Sequence, residues 1–252
     1  MLRINSDKTE LLVSCRNILR NGADKINFFA DTFKIQQKNT TKILGFTIDT
    51  TLNHDSYLNI LISRVNYRLV TFKLVSKYMN MGVRTMVLNS LVLSLVRYVI
   101  PLLINMNANQ IKIINNLVMK TARTAIGYHS YYWSNIKVLK MCGWLNGVHL
   151  LYYGIISFIH KCNFERLPRT IVNNWCYNSR ECSRNNIGPI KNKDKNKTKI
   201  LGDSLLHKGI FIYSKIPDSI KLFKGLKFKN KMKIEIPKRF PNNRMVLLTD
   251  YG

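Results

Sequence analysis

The chain has 252 residues, 46% of them hydrophobic, with 40 Lys and Arg against 13 Asp and Glu and a formal net charge of +27. A chain of this length can bury a real core, as one large domain or two small ones. Its five cysteines (Cys15, Cys142, Cys162, Cys176, Cys182) are odd in number and irregularly spaced, and no secretory signal precedes them, which argues against a disulfide framework and for a reducing compartment.

The charge is uneven. Residues 1–52 carry +3, residues 53–160 carry +10 and residues 161–252 carry +14. Such self-repulsion disfavours a compact state unless a polyanion neutralises it, and phosphate-rich nucleic acid is the natural partner. AT-rich coding, visible in the abundance of Lys, Asn and Ile, explains some of the lysines. It does not explain why residues 53–160 hold a single carboxylate, Asp55.

In chain order, Asn5-Ser6-Asp7-Lys8-Thr9-Glu10 is a polar, turn-like cluster running into a short strand at Leu11-Leu12-Val13. Asn21-Gly22 is a hairpin signal, and Ile26 to Ile35 reads as a further strand or bent pair. Lys42-Ile43-Leu44-Gly45-Phe46-Thr47-Ile48-Asp49 alternates as a strand does, with a glycine marking a kink or a close backbone approach. A small antiparallel sheet fits this region. The motifs begin so near residue 1 that an upstream portion is expected.

From Asp55 to Met79, Leu58, Leu61, Ile62, Val65, Leu69, Phe72, Val75 and Met79 recur at helical spacing. Arg64 and Arg68 flank that stripe on one side, Lys73 and Lys77 on the other. A second helix, Val83–Val99, is apolar nearly all round, so it is expected at the centre of a bundle. Val87 to Ile104 approaches the length of a membrane span, but Asn89, Ser90, Ser94, Arg97 and Pro101 argue for a buried helix. A third helix runs from about Asn109 to Ile126, closed by Gly127. Two shorter ones follow, about Ser134–Met141 and Gly147–His160. Residues 185–199 read as a disordered basic linker, followed by a small ordered island at Ile210–Tyr213 and Ile216–Ile220 and a basic helix over Lys221–Lys233. The expected class is α+β, predominantly α, with three parts: 1–52, 53–184, and a basic, partly disordered 185–252.

Catalytic constellations are scarce. No two acidic residues are adjacent, and only Asp7, Glu10, Asp24, Asp31 and Asp49 are clustered enough to try a two-metal site, where turn and surface roles explain each more simply. No phosphate-binding glycine loop or nucleophile elbow is present. Cys176 and Cys182, with His149 and His160 upstream, lack zinc-site spacing. The positive signal is basic residues interleaved with aromatics: Arg64, Arg68, Lys73 and Lys77 near Tyr67, Phe72 and Tyr78. That pattern suits a phosphate backbone, although a solvated helix face has the same look. Tyr128, Tyr131, Tyr132, Trp133 and Trp144 make either a stacking surface or an inter-helix core, and core is the expectation.

The order of these motifs resembles the reverse transcriptases of non-LTR retrotransposons, the jockey-like ones especially. The resemblance rests on Asn5 to Glu10 and Lys42 to Asp49, followed by a basic helical body. It continues through Ser94 to Leu103, Cys142-Gly143-Trp144-Leu145, Ile159-His160-Lys161, Ile216-Pro217-Asp218-Ser219-Ile220 and the basic run Lys227 to Lys233. It implies a late-palm segment, a primer-grip hairpin, a helical thumb and a C-terminal region. On that likeness Lys8 would approach the incoming nucleotide's phosphates, Ile43, Leu44 and Gly45 would support the primer end, and Arg64, Arg68, Lys73 and Lys77 would follow the template–primer backbone. The parent family copies RNA into DNA with two magnesium ions held by an Asp pair, which this sequence lacks. Phe29-Ala30-Asp31-Thr32 looks similar but follows Lys8-Thr9 and has one Asp, so it reads as a decoy strand. The resemblance thus implies a catalytically inactive fragment of an RNA-directed DNA polymerase, with no catalytic residue, metal or cofactor of its own. It also implies an RNA/DNA template–primer partner, no membrane, no small-molecule substrate retained, and an intracellular location, nuclear or cytoplasmic. The alternatives are a non-enzymatic basic nucleic-acid-binding protein and a non-functional pseudogene product.

Overall fold

The structure, a computed structural model, describes residues 9–13, 28–30, 33–164 and 205–240. It divides into an N-terminal unit, residues 1–64, and a helical unit, residues 65–252. The fold is α+β and predominantly helical, with a small sheet region first and helices after it. Lys8, the Asn21-Gly22 turn, Asp31, Cys176, Cys182 and the 185–199 linker lie outside the described residues.

In the N-terminal unit, β1 (Glu10–Leu11) pairs parallel with β3 (Phe33–Gln37), which pairs antiparallel with β2 (Phe28–Ala30). The sheet is therefore mixed, and not purely antiparallel as expected. Glu10 ties it down: its carboxylate takes Lys38 Nζ at 2.5 Å and Thr41 Oγ1 at 2.8 Å. Those bonds, Lys38 first, hold its pKa below the ordinary carboxylate value.

The Lys42–Asp49 stretch is not one kinked strand. β4 (Thr40–Ile43) turns back at Leu44-Gly45 into β5 (Phe46–Asp49), with Ile43 opposite Phe46 and Lys42 opposite Thr47. Leu44 has φ +49° and Gly45 φ +86°, the two left-handed residues of a two-residue hairpin turn whose twist matches that of the strands.

Helix α1 (Asp55–Ser76) buries Leu58, Leu61, Val65, Leu69 and Phe72 of the expected stripe, together with Tyr57, while Ile62 is half-buried and Val75 is exposed. The boundary between the units falls within it, after Arg64.

In the helical unit, Asn80 caps α2 (Met81–Leu88) by accepting the Val83 N–H. A π-helical turn, Asn89–Leu93, then leads into α3 (Ser94–Val99) and a 3-10 turn at Ile100–Leu102 that contains Pro101. The whole Met81–Leu102 run has the length and apolar content to cross a membrane. Helix α4 (Ala108–Ile126) opens with a reciprocal capping box between Asn107 and Gln110. Helix α5 (Asn135–Cys142) is capped by Ser134. The hub is α6 (Gly147–Phe164), with Leu151, Tyr152, Ile155, Ile156 and Ile159 all fully buried. It packs against α4, the 3-10 turn at Ile100–Leu102, α7 (Leu205–Ser214) and α9 (Gly225–Arg239), the last preceded by the short α8 (Asp218–Lys221).

This corrects the expected centre. Val83–Val99 packs on one side only: Val92, Leu93, Val96 and Val99 are buried while Met86, Leu91 and Tyr98 are exposed. Hydrophobic content alone does not choose between two apolar helices. The covering neighbours do: α6 is enclosed by α4, the 3-10 turn, α7 and α9, and at Gly147 it approaches α4 so closely that a Cβ there would stand 2.5 Å from Asn115 Cα. The described part of the C-terminal region joins the same body. His160 on α6 stacks on Phe228 of α9, ring centroids 3.4 Å apart, and Tyr152 stacks on Phe240 at 4.2 Å.

Candidate nucleic-acid interface

The primer-grip expectation concerns the hairpin tip, and the fold plants that hairpin firmly. Asp49, at the end of β5, accepts Thr51 Oγ1 at 2.8 Å and the Asn53 N–H at 2.9 Å through Oδ1, and Ser56 Oγ at 3.2 Å through Oδ2. Phe46 lies against Tyr57 in the first turn of α1, ring centroids 4.6 Å apart, with His54 beside it at 6.3 Å. Burial lowers the His54 pKa. The base of the hairpin is thus fixed by packing and by a carboxylate turn, while its tip projects: Ile43 is 53% exposed and Leu44 86%. An apolar side chain on left-handed backbone, held out in solvent, is a poor choice for stability alone.

The same kind of bond engages the described carboxylates of this unit. Asp49 is consumed as a turn cap, Glu10 is paired with Lys38, and Asp55 accepts Asn53 Nδ2 at 2.6 Å. Among the described residues no three His, Cys, Asp or Glu converge as metal donors. His149 and His160, buried on α6, are engaged too. His149 Nε2 meets the Phe240 carbonyl at 3.0 Å. His160 meets the Tyr213 hydroxyl through Nδ1 and the Phe223 carbonyl through Nε2, both at 2.9 Å. Burial lowers both pKa values, that of His160 to about 4.

The helical unit is cationic in an unusual way. Its described residues hold twenty-one Lys and Arg against two carboxylates, Asp218 and Glu235. Asp218 pairs with Lys221, and Glu235 with Lys238 and Arg239. Cations therefore far outnumber carboxylates among the unit's described residues, and several arginines bind backbone carbonyls. Arg84 Nε bridges the Ser76 and Met79 carbonyls at 2.9 Å each, closing the end of α1. Arg123 fastens the loop after α4 through the Ser130 and Trp133 carbonyls and Asn135 Oδ1. Arg68 donates to the Leu91 carbonyl in the π-helical turn, where the regular helical ladder is interrupted.

Arg68, expected on the phosphate backbone, therefore serves the fold first. Lys73 and Lys77 stand exposed, as does Arg64, the last residue of the N-terminal unit. Between the two basic flanks, the outward side of α1 carries Tyr67, 75% exposed, Val70, Leu74 and, in the turn beyond, Tyr78, 80% exposed with Lys77 Nζ 4.9 Å from its ring centre. Phe72 lies in the core instead.

Sequence reasoning misplaced another group. Tyr131 and Tyr132 are exposed and not core, Trp133 and Trp144 are half-buried, and Lys137 Nζ stands 4.5 Å over the Trp133 ring. The following Ser134 cap, which ends one helical region and starts another, was the sequence signal for a surface loop. Compared with known proteins, the chain matches no family model, no curated protein and no solved structure.

Proposed function

We propose that the chain is the template–primer-binding portion of a non-LTR retrotransposon reverse transcriptase, comprising late palm, primer grip, thumb and C-terminal region, and that by itself it does not polymerise. The observation that carries the reading is the β4–β5 hairpin: a rigidly based two-residue turn that presents Ile43 and Leu44 to solvent at the position the motif order expects. The helical unit adds support, because a body with two described carboxylates, both engaged, repels itself until a polyanion binds. Lys73 and Lys77 would contact phosphates and Tyr67 and Tyr78 would stack against sugar or base, without base readout.

A general basic scaffold shares the charge but has no use for an exposed apolar hairpin tip. Primer extension with the full chain on an RNA template carrying a DNA primer separates activity from binding. The expected result is duplex binding with no magnesium-dependent synthesis, since no described carboxylate pair exists to hold the ions that offset charge on the transferred phosphoryl group. Magnesium-dependent extension of the primer would overturn the inactive reading.

A further inference from the structure

The helical unit contains a second cationic feature, remote in sequence from α1. A cleft of about 890 Å³ is lined by Arg97 of α3, Lys161 of α6, and Lys224, Lys229 and Lys233 at and along α9. Trp144 and Phe158 form aromatic wall, and among the described residues no Asp or Glu lines it. The volume falls in the range of small-ligand pockets, on the order of 300–1,000 Å³.

Arg97 is the informative residue. It is half-buried, and its Nη2 donates to Asn89 Oδ1 at 2.7 Å, a neutral amide, with no carboxylate bound to it among the described residues. A guanidinium does not shed its proton to escape burial, so desolvating it without an anion costs free energy. A surface lysine in the same position would swing into water, but Arg97 is held by its amide partner. Burial accordingly lowers its pKa. A cavity that holds a fixed, partly desolvated cation, four further cations and aromatic faces is complementary to an anion carrying a planar ring.

We propose that this cleft binds the phosphate of a nucleotide, with Arg97 as the anchor, the α9 lysines around it, and the base against Trp144 or Phe158. The site stands on its own geometry: loss of duplex binding through α1 would leave it intact.

Titration calorimetry of the full chain at fixed salt, with thymidine 5′-monophosphate, thymidine and inorganic phosphate as probes, tests it. The expected result is saturable one-site binding of the monophosphate, at least tenfold weaker binding of inorganic phosphate, and no binding of thymidine. Arg97→Gln should weaken the monophosphate at least tenfold, while Lys73→Ala/Lys77→Ala should leave it unchanged. If Arg97→Gln loses its thermal transition, Lys229→Ala/Lys233→Ala, altering two exposed side chains, should weaken binding at least threefold. Competition by an oligonucleotide bearing a 5′-phosphate but not by its 5′-hydroxyl twin assigns the site to a strand end, and competition by neither assigns it to a free nucleotide; both support the site. Thymidine or inorganic phosphate binding as tightly as the monophosphate, or unchanged affinity in the folded variants, overturns it.

Discussion

At position 44 the backbone is left-handed and the side chain is leucine, a combination that costs about 1–2 kcal/mol relative to a residue that tolerates it. Asn is favoured in such turns, so Leu44→Asn should hold or raise stability, by up to about 1 kcal/mol, while removing the apolar tip. Gly45→Ala should lower it by about 1 kcal/mol, through its φ of +86° and not through crowding, because no atom lies within 4 Å of the added Cβ. Urea midpoints with unchanged slopes would measure both. The turn was half legible. Gly45 marked a break in the alternation, but Leu is not the residue a two-residue hairpin asks for, so a kink and a reversal looked alike. The histidines offer a second test at this scale. His160 has a folded pKa of about 4, and the unfolded value near 6.5 means that the unfolded chain binds a proton the fold refuses. His149, also depressed, acts in the same direction. Stability should be level above about pH 7 and fall as pH drops from 6.5 toward 4, by at most about 1.4 kcal/mol per histidine per pH unit. Melting temperatures at pH 7.5 and 5 would show it, and His160→Gln should flatten the slope.

Among the elements, α6 bears most of the packing, and at Gly147 it comes close to the backbone of α4. Asn115 Cα and N lie 2.5 and 2.7 Å from a Cβ built there, both backbone atoms with little room to yield. Gly147→Ala should therefore cost about 2–4 kcal/mol through overpacking and helix displacement, read as a fall in melting temperature. Helix extents were legible because capping and three-four spacing are local: the expected Asn109–Ile126 is Ala108–Ile126, and the expected Gly147–His160 is Gly147–Phe164. What was not legible was rank. Val83–Val99 and α6 are both apolar nearly all round, and which one is enclosed depends on helices more than forty residues away, beyond any periodicity. Tyr131 and Tyr132 failed for a related reason: aromatic content predicts burial, but a 3-10 turn between two helix ends turns its rings outward.

For the molecule as a whole, charge is the organising quantity, and it was legible from composition alone. The structure adds its division of labour. Arg68, Arg84 and Arg123 spend donors on backbone carbonyls, which on the proposed reading leaves phosphate contact to exposed lysines such as Lys73 and Lys77. Substituting Lys73 and Lys77 together should leave folding intact, since both are exposed, and should lower the logarithmic salt slope of duplex binding by about 2. The most direct test follows from the hairpin. Equilibrium binding of an RNA–DNA duplex with a recessed primer 3′ end should be compared with the blunt duplex across a salt series, for the unaltered chain and for Leu44→Asn. A template–primer-binding chain should prefer the recessed end, lose affinity steeply with salt, and lose the end preference but not the salt slope in Leu44→Asn. Equal affinity for recessed and blunt duplexes, or an end preference unchanged in Leu44→Asn, would contradict a primer grip at this tip.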